Sequence, residues 1–195
     1  NPMPGGDKLY AITYGATGAN VITSINNNRA MVIYSGHGSQ TGWAGPALNQ
    51  GDVRNLTGVA VPYVASHACM TADFLVNESF ADTWIIEPVN GALTIAAASN
   101  YSYWTEDDIL ERVIFDTLYH DPAGIEVPTI SQMKHAGLVA VDASNTSIDQ
   151  YYWEEYHIFG DPTLKVVLGP RTPDFTLAIN PSAIDICSTD SKSVE

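Results

Sequence analysis

The sequence predicts an α/β fold in which helices pack against a mostly parallel sheet. Three nearly uninterrupted apolar runs have the length and β-branched character of buried parallel strands: residues 30–35, 59–68 and 92–98. Four segments repeat apolar side chains at helical spacing: residues 18–28, 79–86, 106–119 and 129–142. Alternation of these two patterns along one chain is typical of helices that cover both faces of a parallel sheet.

The remaining segments complete the predicted order of elements. Pro62 weakens the first part of the strand at 59–68, because proline cannot donate a ladder hydrogen bond. Thr105 is the expected cap of the helix at 106–119. The other expectations are an entering strand at 8–14, a loop with one helical turn at 42–58, an aromatic helix at 148–159 and a last strand at 164–168.

The composition indicates a globular domain and excludes two classes of partner. Apolar residues make up 45% of the 195 residues and charged residues only 15%, which favours one well-packed core. The net charge of −14 argues against nucleic acid, whose phosphates are bound by Lys and Arg. It weakly favours cationic substrates, although an acidic secreted or salt-adapted surface explains it equally well. No run approaches the ~20 apolar residues that cross a bilayer, so no membrane span is expected.

Two residues with catalytic chemistry follow predicted buried strands. His37 lies just past the strand at 30–35, and Cys69 directly follows the strand at 59–68. In open α/β sheets, reactive groups gather beyond the carboxyl ends of the strands. The two side chains can therefore meet, although they are far apart in the sequence.

A cysteine and a histidine in this arrangement are the working parts of a cysteine peptidase. The thiolate is the reactive form of cysteine, and a neighbouring imidazole can take the thiol proton and later protonate the leaving amine. The tetrahedral oxyanion that forms needs fixed donors. The backbone N–H groups of Gly38 and Cys69 are the candidates.

Other interpretations of these residues remain open. A histidine beside glycine is more often a turn residue, and a lone buried cysteine is usually a small hydrophobic side chain. Cys69 and Cys187 are the only cysteines, which excludes a disulfide scaffold, and a bond between them would block the nucleophile. His67 would share a strand face with Cys69, and a structural role is favoured for it over substrate contact. Zinc held by His37, His67 and Cys69 is disfavoured, since no paired Cys-x-x-Cys pattern occurs.

Four segments resemble motifs of the gingipain-type cysteine peptidases, peptidase family C25, which are related to caspases in fold. The segment YSGHGS at 34–39, followed by Trp43, resembles the catalytic-histidine motif, and SHACMTADF at 66–74 resembles the nucleophile motif. ASNYSYWTED at 98–107 resembles the aromatic loop that walls the substrate pocket. YYWEEYHIFGDPTL at 151–164 resembles the block that closes the catalytic domain.

The resemblance implies a caspase-like three-layer αβα sandwich with endopeptidase activity on polypeptides. It assigns Cys69 as the nucleophile, His37 as the acid/base, and Gly38 and Cys69 as the oxyanion donors. Trp104 would pack on the substrate side chain that precedes the scissile bond. No cofactor is implied for the chemistry, while structural calcium is plausible because family members use it. The resemblance also implies a bacterial protein that is secreted or held at the cell surface.

The chain departs from the family pattern in two respects. An N-terminal portion that contributes to substrate recognition in the family is absent, so a partner from the same precursor is an expectation. The carboxylate that binds arginine in Arg-specific members has no match, which leaves the expected preference for a basic residue without an assigned partner. Asp73, or one of the acids at 106–108, is a candidate, and His67 is a further candidate for substrate contact.

Two domains and two functions follow from these observations. Residues 1–168 are predicted to be the C-terminal portion of a C25-type catalytic domain. Residues 169–195 are predicted to be a linker and the opening strands of an immunoglobulin-like domain. The preferred function is a cysteine endopeptidase, and the alternative is a non-catalytic binding or secretion-associated module of the same fold.

Overall fold

A computed structural model of the protein describes residues 6–119, 127–144 and 146–166. The helices are α1 (Ala11–Tyr14), α2 (Gly18–Asn26), α3 (Gln50–Arg54), α4 (Phe80–Ile86), α5 (Trp104–Tyr119), α6 (Ile130–Ala143) and α7 (Asp149–Glu155). The strands are β1 (Met31–Ser35), β2 (Gly38–Ser39), β3 (Gly42–Ala44), β4 (Ala47–Asn49), β5 (Tyr63–His67), β6 (Thr94–Ala98) and β7 (Tyr156–Gly160). Within these described ranges, every helix is too short or too polar to span a bilayer.

The central sheet has the strand order β1-β5-β6-β7. β5 is parallel to both β1 and β6, and β7 is antiparallel to β6. Ser35, the last residue of β1, is paired with His67, the last residue of β5. The two strands therefore end level with each other, and the residues after them emerge side by side. A small antiparallel sheet, β2-β3-β4, follows directly after β1.

Helices cover both faces of the central sheet, and each face has its own apolar core. On the first face, Val64 of β5 packs with buried residues of α2, α3 and α4, among them Trp84. On the second face, Tyr63 and Ala65 pack with buried residues of α5 and α6, among them Leu110. The alternation of side chains along β5 explains this division. The arrangement confirms the predicted three-layer α/β fold; the predicted immunoglobulin-like segment lies outside the described residues.

Several local predictions are confirmed, and the bulk of the differences involve short elements. β5 begins at Tyr63, immediately after Pro62, as the missing proline N–H requires. The prediction that the helix at 148–159 continues to its end is wrong, because residues 156–160 form strand β7. Tyr156 and Ile158 alternate toward the second core while the backbone pairs with β6. Residues 8–14 form only the one-turn helix α1 and no strand.

Two further corrections concern the loops around the sheet. The predicted loop at 42–58 contains the hairpin β3–β4 before its helical turn α3, since Trp43 and Leu48 pair across it and both are buried. Helix α5 starts at Trp104, so Thr105 lies inside the helix and does not cap it. Of the last predicted strand, the described residues show a single bridge between Lys165 and Thr129.

Candidate active site

The site lies where β1 and β5 end. The N–H of Gly36, one residue past β1, donates a 3.1 Å hydrogen bond to the carbonyl oxygen of His67, the last residue of β5. His37 and Cys69 are each two residues beyond these level strand ends. The register of the sheet thus brings the segment that carries the imidazole next to the segment that carries the thiol.

The backbone of His37 is fixed by buried groups on the first face. Its carbonyl oxygen accepts hydrogen bonds from the Tyr34 hydroxyl at 2.8 Å and from the Ala44 N–H at 2.9 Å. The Tyr34 ring stacks on Trp43 at 4.5 Å between centroids. The Trp43 indole N–H in turn donates to the Ser66 hydroxyl at 2.9 Å. These hydrogen bonds and the stacked rings therefore link the segment that carries His37 (the histidine loop) to β5, the strand that leads to Cys69.

Gly38 packs directly against the turn that carries Cys69. A Cβ atom at this position would lie 2.8 Å from the Ala68 Cβ, 2.8 Å from the Thr71 Cγ2 and 2.9 Å from the Cys69 carbonyl oxygen. Real Cβ atoms do not approach other atoms so closely. Glycine is therefore required for the close approach of these two segments.

The Cys69 turn is held from its other side by the loop at 99–103. Met70 adopts a left-handed backbone conformation, with φ of 62°, and its N–H donates to the Asn100 carbonyl oxygen at 2.8 Å. The Cys69 thiol is half-buried, and its sulfur lies 3.4 Å from the backbone N–H donor of Ser102 and 3.5 Å from the Ser102 carbonyl oxygen. The sulfur thus contacts both backbone polar groups of Ser102, which fixes its position relative to the loop at 99–103.

Trp104 connects the loop at 99–103 to the histidine. Its ring lies edge-on to the His37 imidazole, with 5.6 Å between centroids, and its side chain is 63% exposed. The same short loop therefore contacts the sulfur through Ser102 and the imidazole through Trp104. An exposed indole therefore lies beside the imidazole, and the thiol lies beside the same loop.

Asp107, in the first turn of α5, anchors this loop from below. Its carboxylate accepts hydrogen bonds from the hydroxyls of Tyr156 at 2.6 Å, Ser102 at 2.7 Å and Tyr152 at 3.1 Å. Burial raises the pKa of Asp107, and the three hydroxyl donors oppose that rise. Through Ser102, the position of this carboxylate determines the position of the residue that contacts Cys69.

A second acid lies buried next to Asp107. The Glu155 side chain is 2% exposed, and neither of its carboxylate oxygens has a hydrogen-bond partner. The Tyr151 hydroxyl is its neighbour, but that single proton is donated to the Tyr101 carbonyl oxygen at 2.8 Å. Burial raises the pKa of Glu155 to about 8; the nearby Tyr151 hydroxyl opposes that rise, and the charge of Asp107 adds to it.

The structure places His67 and Asp73 away from open solvent. His67 is 2% exposed on the second face, its ring is 6.1 Å from that of Tyr156, and both ring nitrogens lack partners. Burial lowers the pKa of His67 to about 4, so the ring is neutral at pH 7. The expectation that His67 and Cys69 share a strand face is wrong, because β5 ends at His67 and Cys69 lies in the following turn.

Asp73 serves contacts within the protein. It is buried, and its carboxylate accepts hydrogen bonds from the Gln40 side chain at 3.3 Å and from the Leu75 N–H at 3.0 Å. It thereby links the β2–β3 turn to the loop that follows the Cys69 turn. Its contact with substrate remains a prediction. Among the residues that the structure describes, no group of three or more potential ligands could hold a metal ion.

Sequence reasoning missed two residues of this site. Ser102 lies in the aromatic loop at 98–107, but nothing in its type or spacing signals contact with a cysteine 33 positions away. Glu155 lies three residues after the fully buried Tyr152, so both side chains are on the inward face of α7. An acid on the inward face of a helix is the signal that could have identified it.

Comparison with known proteins identifies the family. The model of peptidase family C25 matches residues 5–167. Lys-gingipain W83 from Porphyromonas gingivalis is 29% identical over 176 residues, which cover 78% of this chain and 10% of that protein. Gingipain R2 from the same species is 27% identical over 180 residues, which cover 87% of this chain and 24% of that protein. The chain thus spans a quarter or less of the length of these two relatives.

Solved structures agree with the family match. The crystal structure of the Arg-specific cysteine proteinase gingipain R superposes with a TM-score of 0.70 at 26% identity, over 78% of this chain and 37% of that one. A complex of gingipain pro- and mature domains from P. gingivalis has the same fold, with a TM-score of 0.69. The fold is therefore the caspase-like fold of gingipains, and the chain belongs to peptidase family C25.

Proposed function

We propose that this protein is a cysteine endopeptidase in which Cys69 is the nucleophile and His37 the acid/base. The observation that carries the proposal is the junction of the two strand ends. The Gly36 N–H bonds to the end of β5, and Gly38 packs on the Cys69 turn without room for a Cβ atom. These contacts hold a histidine and a cysteine on adjacent backbone segments.

The proposed reaction proceeds through an acyl-enzyme. His37 takes the Sγ proton, and the thiolate attacks the carbonyl carbon of the scissile peptide bond. The N–H groups of Gly38 and Cys69 stabilise the oxyanion until the C–N bond breaks and the amine leaves with the proton from His37. A water molecule, deprotonated by His37, then attacks the thioester, and collapse of the second oxyanion releases the carboxylic acid and regenerates the thiol.

We further propose a preference for a basic residue before the scissile bond. The names of the relatives, Lys-gingipain and Arg-specific gingipain R, support this preference, as does the net charge of −14. Trp104, exposed beside His37, would pack on the aliphatic part of that side chain. The family resemblance also supports action outside a bacterial cell or at its surface, structural calcium, and cooperation with a further portion of the same precursor.

Alkylation of Cys69 tests the proposed dyad. In a Cys187→Ala background, Cys69 is the only thiol, so iodoacetamide labelling at mildly acidic pH reports on it alone. We expect rapid labelling in the parent protein and slow labelling after His37→Ala, because the imidazole stabilises the thiolate. Peptide cleavage should be abolished by Cys69→Ala and lowered ~10²–10⁴-fold by His37→Ala.

The opposite outcome supports the alternative function. Slow labelling that does not change with His37→Ala would mean that the thiol is not activated, and the non-catalytic binding module would be preferred. Cleavage within tenfold of the parent rate after either substitution would remove the two residues from the catalytic machinery. His135→Ala is the matched control, since this exposed histidine contacts Trp153 and lies outside the site.

A further inference from the structure

We infer that the pocket between α6, α7 and β7 is a binding site for a small organic carboxylate, in which Lys134 pairs with the acid group. The pocket has a volume of about 410 Å³. Its lining comes from residues 131–138 of α6, Trp153 of α7 and Ile158 of β7, and none of these residues belongs to the candidate active site. The inference is independent of the proposed peptidase function.

The size and apolar walls of the pocket suit a small molecule. Leu138 belongs to the apolar core of the second face, Ile158 packs against that core, and both line the pocket. Trp153 is 38% exposed, and its ring packs edge-on against that of His135 with 5.3 Å between centroids. The lining residues of α6 rise by about 10 Å along the helix. A ligand with one flat ring and a short chain fits this length, whereas an extended peptide of more than about three residues does not.

Lys134 supplies the positive charge of the pocket. Its side chain is half-buried and lines the cavity. The described arginines, Arg29, Arg54 and Arg112, each form an ion pair with an acid, whereas Lys134 forms none with the described acids. The half-buried ammonium group therefore faces the cavity without a counter-ion from the described part of the chain.

The lack of an acid beside Lys134 contrasts with the composition of the chain. Acidic residues number 22 and basic residues only 8, so the sequence has many more acids than its cations need. A partly buried charge is costly unless a group of opposite charge completes it. Burial lowers the pKa of Lys134, and no described carboxylate opposes that fall. An anion from outside the described residues would complete the site and would favour the charged form of the lysine.

The other polar groups near the ammonium are also suited to a carboxylate. Burial lowers the pKa of the His157 imidazole, and the charge of Lys134 lowers it further, so this neighbour is basic and supplies no anion. Gln132 lines the pocket, and its amide oxygen already accepts the Thr129 N–H at 2.8 Å. The group that Gln132 can offer to a ligand is therefore its NH₂ donor. A cation and an amide donor above apolar walls match the acceptor oxygens and apolar body of an organic acid.

A carboxylic acid and its amide test this inference in the whole protein. The probes are 3-phenylpropionate and the neutral 3-phenylpropanamide, which share the ring and the chain. The indole N–H resonance of Trp153, assigned through its loss in Trp153→Phe, reports binding at this pocket in an NMR titration. We expect the acid to bind roughly 10-fold more tightly than the amide, because only the acid forms a charge-assisted hydrogen bond with the ammonium.

Replacement of the lysine separates its charge from its packing. Lys134→Met keeps an apolar stem without the ammonium group, so the acid and the amide should bind with equal affinity. Lys8→Met is the matched control, since Lys8 is exposed and lies outside the pocket, and the preference for the acid should persist. Cys69→Ala should bind both probes as the parent protein does, so a failure of the proposed peptidase function would leave this result unchanged.

Three outcomes would overturn the inference. The first is equal affinity in the parent protein, or tighter binding of the amide, as the repulsion of anions by the net charge of −14 predicts. The second is a preference for the acid that survives Lys134→Met. The third is a shift of the Trp104 indole resonance without one of Trp153, which would place the ligand in the candidate active site.

Discussion

The two faces of the central sheet support the candidate site in different ways. On the first face, the groups around the histidine loop are paired: the Tyr34 hydroxyl bonds to the His37 carbonyl oxygen, and the Trp43 indole bonds to Ser66. On the second face, below the loop at 99–103, His67 and Glu155 are buried without partners. One face holds the backbone in place, whereas the other holds ionisable groups in an incomplete environment.

This difference suggests a division of labour between the faces. Catalytic geometry depends on fixed backbone positions, and the first face provides them through satisfied hydrogen bonds and close packing. Recognition of a charged side chain requires free acceptors, which are costly to bury and are found at binding sites. We therefore expect substitutions on the first face to act through geometry and those on the second face to act through charge.

Gly38→Ala is expected to have the largest effect among substitutions that test the first face. The new Cβ atom would lie within 2.9 Å of Ala68, Thr71 and the Cys69 carbonyl oxygen, so the histidine loop must move away from the Cys69 turn. We expect a loss of about 1–3 kcal/mol in the free energy of unfolding. Because displacement by about 1 Å is enough to lower the rate about 100-fold, cleavage should fall at least to that extent.

Urea unfolding and peptide cleavage measure the two effects separately. Gly45→Ala is the control, because its Cβ atom would meet only the Ala11 Cβ, at an ordinary distance of 3.9 Å. If Gly38→Ala retains full activity, the packing of Gly38 on the Cys69 turn does not set the catalytic geometry, and the role given to the first face is wrong.

The first face was also the more predictable of the two from sequence. Continuous apolar runs predicted β1 and β5, and the rule that reactive groups follow strand ends placed His37 and Cys69 together. The hairpin β3–β4 escaped prediction because its strands are three residues long, too short for a period of two to emerge.

The second face depends on tertiary contacts that leave little trace in a local pattern. In the sequence, Asp107 has the pattern of an ordinary acid in the first turn of α5. Its three hydroxyl partners, however, come from the preceding loop, α7 and β7. The strand β7 was predicted as helix, because its aromatic residues continue the pattern of α7 and only pairing with β6 decides the conformation. The spacing of residues in the sequence does not reveal a site built from such elements, whereas the three-dimensional fold does.

Asp107→Asn tests the anchoring of the loop on the second face. The amide keeps one acceptor oxygen but replaces the other with a donor, so at least one of the three hydroxyl bonds is lost. We expect a loss of about 1–3 kcal/mol in the free energy of unfolding. Asp108→Asn, at an exposed ion pair with Arg112, should change it by less than about 1 kcal/mol.

The activity of Asp107→Asn separates anchoring from charge recognition. Two peptides that differ only in the residue before the scissile bond, lysine in one and the uncharged norleucine in the other, serve as substrates. If Asp107 only positions Ser102 and the loop, the cleavage rates of both peptides should fall together. A selective loss of cleavage of the lysine peptide would instead make Asp107 the residue that binds the cation.

The pH dependence of stability reports directly on the buried groups without partners. Glu155 has a folded-state pKa of about 8, above the ordinary value of 4.5, so its protonated form favours the folded protein. That contribution is complete below pH 4.5 and is lost as the pH rises through about 8. His67 acts at the other end: its pKa of about 4, below the ordinary 6.5, removes stability as the pH falls from 6.5 to 4.

Glu155→Gln should therefore become more stable relative to the parent protein as the pH rises from 4.5 to about 8, because glutamine has no proton to lose. Urea unfolding across this range, with Glu154→Gln as control, measures the difference in slope, which approaches one proton per molecule. A parallel pair of curves would show that Glu155 titrates as an ordinary solvated acid. Position 155 on the second face would then contain no buried carboxyl group with a raised pKa, and the two faces would differ in packing alone.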